Sequence, residues 1–334
     1  MTVAFAGPGP VGIAHLPVEI LSRIFLLGAF YDYPYSDSPF LLKPDTDYYQ
    51  TPSSQFQCAV SRVCARWREI AVATPSLWTF IFLRMPCHID RAKIFMKRAL
   101  RVTTTTIDIL IDAVDQRQHV QGLTIGPPEI EIVLSTVCKH AARWRSFHLK
   151  VRDRHCKLAA RKFLSTCGPA PFLETLQLYH FEDYTSPSQL HEATYKPPVT
   201  VFDNSIPNLR NVGLIGVNLP WENAPYLRSG RLTNLELALH PNNIRPTHDF
   251  WNGILRASSR SLVRLSLRYS GPKVDGAWSD AQHPIVLDAL RELCLSDLEP
   301  EYSCMIMERL QCPHLMSLRL NLPEQDFAPL LALL

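Results

Sequence analysis

Seven short stretches share one pattern, and that pattern limits the fold more than any other feature of the chain. WRSFHL begins at Trp144, LETLQL at Leu173, LRNVGL at Leu209, LTNLEL at Leu232, LVRLSL at Leu262, LRELCL at Leu290 and LMSLRL at Leu315. Each has apolar residues at its first, fourth and sixth positions, and the last two match the inward alternation of a strand. With 46% apolar residues, one such triple arises by chance in about one window in ten, so a single copy means nothing. Six consecutive copies opening with leucine, at comparable intervals from Leu173 to Leu315, indicate a repeat. One unit cannot cover its own apolar face, so neighbours must stack and the core must run lengthwise.

The intervals fall in the long, irregular part of the leucine-rich-repeat range. The chain returns between strands through helices or loops, for example His248–Ser259 and Glu301–Leu310, with one long loop over Phe181–Pro207. The consensus asparagine of such repeats is poorly kept, with only Asn218 near its place. An ordinary α/β domain with parallel strands is the alternative. Residues between the inward leucines point to the opposite face. They are Thr175, Gln177 and Tyr179; Asn211, Gly213 and Ile215; Asn234, Glu236 and Ala238; Arg264, Ser266 and Arg268; Glu292, Cys294 and Ser296; and Ser317, Arg319 and Asn321. Stacked, they form a concave sheet of mixed charge. Solenoid faces of this kind bind proteins, and the expected target contacts are Gln177, Tyr179, Glu236, Arg264, Arg268, Glu292 and Arg319.

Upstream lie two amphipathic pieces. LPVEILSRIFLL (16–27) places Leu16, Ile20, Leu21, Ile24 and Phe25 on one helical face, with Pro17 in a tolerated first-turn position. In VSRVCARWREIAVATPSLWTFIFL (60–83), Val60, Val63, Cys64, Trp67, Ile70 and Ala71 recur at spacings of three and four and predict one helix, stopped by Thr74-Pro75. Leu77, Trp78 and Ile81 add a second apolar cluster. Helices this short bury little alone, so their apolar face must rest on the remaining chain or on a partner.

These two pieces resemble the F-box-like motif of the large fungal F-box families. The matching residues are Leu16-Pro17, Glu19-Ile20-Leu21, Ile24-Phe25, Val63-Cys64, Arg66-Trp67, Ile70-Ala71 and Pro75-Ser76-Leu77-Trp78. Compact F-boxes join the pieces by a few residues. Here an insertion with five tyrosines and several prolines intervenes at about 29–56, and it reads as an irregular loop. The resemblance covers roughly 13–84, and the repeats beyond it resemble the ragged leucine-rich repeats often fused to F-boxes. It implies a substrate-recognition subunit of an SCF-type ubiquitin ligase, docked on a Skp-type adaptor and through it a cullin. Leu16, Pro17, Ile20, Leu21, Ile24, Val63, Cys64 and Trp67 would lie at or just behind the adaptor contact. The alternative is a non-ligase scaffold in which these helices only cap the solenoid, with Ile20 and Trp67 both shielded.

The expected architecture is therefore mixed α/β (α+β). Residues 1–12, small and rich in Pro and Gly, form a disordered arm. A small helical F-box-like domain covers 13–84. A leucine-rich-repeat-like solenoid with a curved parallel sheet covers 85–334. Within the last, Ile89–Val102 predicts a basic amphipathic helix, TTTTIDILIDA (103–113) a strand with one buried face, and Pro127–Ala142 a further helix. The ending DFAPLLALL has no polar cap, which predicts either truncation or dimerisation there.

A net charge of +3 argues for neither nucleic acid nor an anionic membrane as partner. Nine cysteines, odd in number and without a CxxC pair, suggest a reducing compartment, the cytosol or nucleus. The start MTVAFAGPGPVG lacks a basic segment before an apolar core and does not read as a signal peptide, and no run of about 18 apolar residues occurs in the sequence. Chemistry-bearing motifs are weak. His191-Glu192 starts an HExxH-like string that meets tyrosine at 195, and Cys304, Cys312 and His314 lack a fourth ligand at finger spacing. Gly7-Pro8-Gly9-Pro10 has no P-loop context and no GxSxG occurs. The expectation is a non-enzyme without metal or cofactor.

Overall fold

A computed structural model describes residues 12–30, 38–42, 56–180, 197–274 and 284–333. The expected arm at 1–12 and the His191-Glu192 string lie almost wholly or wholly outside them.

Helix α1 spans Val18–Phe30. The second piece is two helices, α2 (Phe56–Val63) and α3 (Ala65–Val72), not the single helix its spacing predicts. The break falls at Cys64, whose extended backbone (φ −156°, ψ 172°) caps α3 while its thiol accepts from the Trp67 N–H at 3.4 Å. Helical spacing alone cannot register a cap inserted without a proline or glycine. After α3, the turn Pro75–Trp78 delivers Trp78 to the interior. Its indole N–H donates to the Ala71 carbonyl at 2.7 Å, and its ring meets Phe95 edge-on at 4.9 Å. This packing joins the N-terminal helices to the rest of the molecule.

The strands are β1 (Phe80–Leu83), β2 (Ile107–Asp112), β3 (Trp144–Val151), β4 (Thr175–His180), β5 (Asn211–Ile215), β6 (Asn234–Ala238) and β7 (Arg264–Arg268). There follow β8 (Ile285–Val286), β9 (Glu292–Ser296), β10 (Leu310–Gln311) and β11 (Ser317–Asn321). Among the described residues, nine of them form one sheet in the order β1-β2-β3-β4-β5-β6-β7-β9-β11, and every neighbouring pair is parallel. Order in space thus follows order in the chain. Between strands run α4 (Cys87–Ala99), α5 (Pro127–Cys138), α6 (Arg154–Leu164), α7 (His248–Ala257) and α8 (Pro300–Met307), with α9 (Ala328–Leu333) at the end. β8 and β10 pair separately.

All seven repeated hexamers contribute a strand, in one register. Phe147, Leu176, Val212, Leu235, Leu265, Leu293 and Leu318 stand side by side across the sheet. All but Leu318 are fully buried. β1 was not anticipated, since Ile81 reads equally well as the end of a helical cluster. Helix α6 was also missed; its N-cap Asp153 accepts from the Cys156 N–H at 2.7 Å.

A second repetition is conformational. The residue seven positions after each hexamer starts is left-handed in four consecutive units: Gly216 (φ 62°), Leu239 (57°), Tyr269 (47°) and Asp297 (52°). Each donates its N–H to the adjacent strand's end, on Ala238, Arg268, Ser296 and Asn321 respectively. Only one of the four is glycine, the residue type that adopts this region without steric cost. The shared turn was therefore invisible in the residue types.

Candidate functional site

Two surfaces matter, one on the N-terminal helices and one on the sheet. On the helices, α1 turns Leu21 and Phe25 inward, where both are fully buried. Trp67 of α3 lies against Phe25, ring centroids 5.0 Å apart, and the Arg66 guanidinium donates to the Leu16 carbonyl at 2.6 Å. Away from Leu21 and Phe25, α1 leaves Ile20 (48% exposed), Ile24 and Leu27 (59%) uncovered along one stripe, and Ile13 before the helix, Val18 in its first turn and Val63 (60%) at the end of α2 are also exposed. Pro17 and Cys64 are exposed as well. Of the eight expected adaptor-contact residues, Pro17, Ile20, Ile24, Val63 and Cys64 are thus on the surface. Leu21 belongs to the core, and Leu16 and Trp67 are half-buried behind the surface. The predicted common face of Val60, Val63, Cys64 and Ile70 is split by the break at Cys64, which puts Val60 and Ile70 inside and Val63 and Cys64 outside.

The sheet's second face differs between its halves. Strands β2, β3 and β4 are buried on both faces, whereas β6, β7 and β9 alternate buried and half-exposed residues. The closed half holds ion pairs. Arg84 makes two bonds to Asp112 Oδ2 (2.8 and 3.2 Å), and Arg152 reaches Oδ1 at 3.3 Å. Asp108 accepts from Arg145 Nε at 3.0 Å and from the Ser146 hydroxyl at 2.9 Å. The Lys150 ammonium lies 4.8 Å from the centre of the Tyr179 ring.

Gln177, expected to be an open contact, is fully buried. Its side-chain amide holds the backbone of Leu42, from the insertion between α1 and α2: Oε1 accepts from the Leu42 N–H at 3.0 Å and Nε2 donates to the Leu42 carbonyl at 2.7 Å. Among residues 38–42 no helix or strand forms. The segment nonetheless lies on the sheet, with Leu42 packed against Phe82 and Leu110, and Phe40 over Gly213. Tyr179 is buried too. Both residues are corrected from open to covered. The strand pattern correctly put them on the second face, but nothing in it records a segment so far upstream in the chain.

The open half carries the other five expected contacts. Arg264 Nε and Glu292 Oε1 pair at 2.9 Å across β7 and β9, and Arg319 is exposed on β11. Glu236 and Arg268 are half-exposed, and Arg268 faces the Tyr179 hydroxyl. A polar row leads into them: Asn211 donates to Thr175 at 2.8 Å and accepts from Asn234 at 2.6 Å.

Among the described residues, no three His, Cys, Asp or Glu side chains gather where they could hold a metal ion, and no helix is long and apolar enough to cross a membrane.

Residues 13–84 match the family model for F-box-like domains, the span that carries the uncovered helices. F-box domains generally bind Skp-type adaptors. A comparison with curated proteins found no match.

Proposed function

We propose that the chain is a substrate-recognition subunit of an SCF-type ubiquitin ligase. Its N-terminal helices dock on a Skp-type adaptor, and through it on a cullin, while the sheet holds a target protein. The observation that carries this reading is the uncovered stripe of Ile20, Ile24 and Leu27 on α1, with Val63 also exposed at the end of α2, on a helical unit whose sequence matches the F-box-like family. Large apolar side chains exposed at one helical spacing are what an interaction site presents.

Residues 85–334 are read as a leucine-rich-repeat-like solenoid. Strand order following chain order, seven hexamers in one register and a left-handed residue at one offset in four units support this. Stacked units bury a continuous lengthwise core in this manner. The target would lie on the open half of the sheet, against Glu236, Arg264, Arg268, Glu292 and Arg319. The chain performs no bond chemistry in this reading. It holds the target near a conjugating enzyme and raises effective concentration, a gain of roughly 10²–10⁴ without any new contact. Nine free cysteines suit a cytosolic or nuclear location.

A scaffold whose helices merely cap the sheet would shield both Ile20 and Trp67. Trp67 is partly covered, but Ile20 stands out in solvent, which favours docking. The test is co-purification with a Skp-type adaptor. The unmodified chain should retain the adaptor, and an Ile20→Glu/Val63→Glu variant of unchanged melting temperature should not. Equal retention by both would overturn the reading.

A further inference from the structure

We propose that Gln177, Gly213 and the Phe82–Leu110 pocket form a peptide-binding site for an extended segment of aromatic-x-leucine spacing, which this chain fills with its own Phe40-Leu41-Leu42 and which a partner's segment of the same spacing can take in its place.

The contact has the form of peptide recognition. Gln177 meets both polar groups of one residue, Leu42 N–H and Leu42 C=O. That pairing imitates a strand bridge and is blind to the residue's identity. Identity is read beside it. The Leu42 side chain enters an apolar cluster with Phe82 and Leu110, flanked by Phe80. Two residues earlier, the Phe40 ring lies over Gly213. A Cβ at 213 would come within 3.3 Å of that ring and 3.1 Å of Gln177 Cγ. Glycine inside a strand marks close approach by another group, and here that group is a ring of the inserted segment.

The clamp is held ready. Leu42 N–H can only donate and its carbonyl can only accept, which orients the Gln177 amide. Oε1 then also accepts from His148 Nδ1 at 3.0 Å, so that nitrogen carries the proton. Both side chains are fully buried, and withdrawing Leu42 leaves Gln177 with unmet bonds that an incoming backbone can satisfy. The site borders the open half directly, since Gly213 stands in register with Glu236 of the next strand. A partner segment can therefore continue onto surface that the cis segment leaves free.

The tethered segment competes at an effective concentration of order millimolar, so weakening it should expose the site. The probe is a fluorescent peptide reproducing residues 38–43, titrated by anisotropy against the full chain. A Phe40→Ala/Leu42→Ala variant should bind it at least ten-fold more tightly than the unmodified chain. Adding Gln177→Leu should remove the gain, and a peptide with its phenylalanine and second leucine changed to alanine should not bind. No gain in a variant with an unchanged circular dichroism spectrum and a cooperative melt would overturn the proposal and leave the contact as a strap. If that variant does not fold, hydrogen exchange on the unmodified chain decides. Millimolar peptide should lower protection at residues 40–42, and unchanged protection would count as failure. Adaptor pull-down reads the N-terminal helices and this titration reads the sheet, so either reading can fail alone.

Discussion

Gln177 and Leu42, far apart in sequence, are joined by two hydrogen bonds through one side-chain amide. The pair bears on which part of the sheet is covered and which stays open. It places an inserted segment over the strands nearest the N-terminal helices and leaves β6, β7, β9 and β11 open. It also ties the insertion's middle to the sheet while its flanking helices α1 and α2 stay together, with Phe56 of α2 lying where a side chain at Gly28 of α1 would stand.

Replacing Gln177 with leucine leaves the Leu42 N–H, the Leu42 carbonyl and the His148 N–H without this partner. Each unmet buried polar group costs about 1–3 kcal/mol. Gln177→Leu should therefore lower stability by more than about 2 kcal/mol in chemical denaturation. A loss under about 0.5 kcal/mol, the size of an ordinary surface change, would mean that solvent reaches the clamp.

On α1 the two faces should separate cleanly. Leu21→Ala empties core space and should cost about 2–5 kcal/mol. Ile20→Glu, one residue earlier and half-exposed, should leave the melting temperature within a degree or two while abolishing adaptor retention. Equal destabilisation by the two changes would show that α1 has a different face inward.

Acid should weaken the fold well before its carboxylates are protonated. Burial holds His148 and His88 at about 4, the latter helped by Arg91 and Arg84, and burial holds His240 at about 3. Unfolded, each returns to about 6.5. Between these values the unfolded chain binds more protons, so the stability contribution is complete above about pH 6.5 and is lost as pH falls toward 4. For His148 the ceiling is about 3 kcal/mol. Denaturant midpoints measured from pH 7.5 to 5 should fall steadily; a flat profile would contradict neutral, buried imidazoles.

The buried Arg84–Asp112 pair, with both side chains 5% exposed, should be intolerant of one-sided loss. Arg84→Leu leaves Asp112 with Arg152 alone at 3.3 Å. Breaking one partner of such a pair costs about 3–5 kcal/mol. Changing Asp112 to asparagine in the same background should recover part of the loss, measured as a double-mutant cycle.

The left-handed turn after each hexamer can be tested at Asp297, which is exposed with φ 52°. Asp297→Gly should be neutral or stabilising by up to about 1 kcal/mol, and Asp297→Val should destabilise by about 1–2 kcal/mol. Matching thermal melts decide it; a harmless valine would remove the case for a shared turn.

Much of the fold was legible because it is local. The hexamers anticipated seven strands, since leucines at the fourth and sixth positions can be inward together only on an extended chain. Leu16 to Leu27 and Ile89 to Val102 carried readable helical periods. β1 was missed because four apolar residues fit a strand or a helix end equally well. The break at Cys64 was missed because a thiol is an uncommon cap. On the N-terminal helices, residue type marked which positions are apolar but not which side they take: Leu21 and Ile20 read alike, and only the packing of the tertiary structure puts one in the core and the other in solvent.

Alternation along the chain was enough to set which residues of each strand turn inward, because that depends only on the pleat. Which parts of the outward face stay open was decided in three dimensions. A segment far upstream of Gln177 covers it through backbone groups, and backbone groups are the same in every residue, so no pattern of side chains announces them.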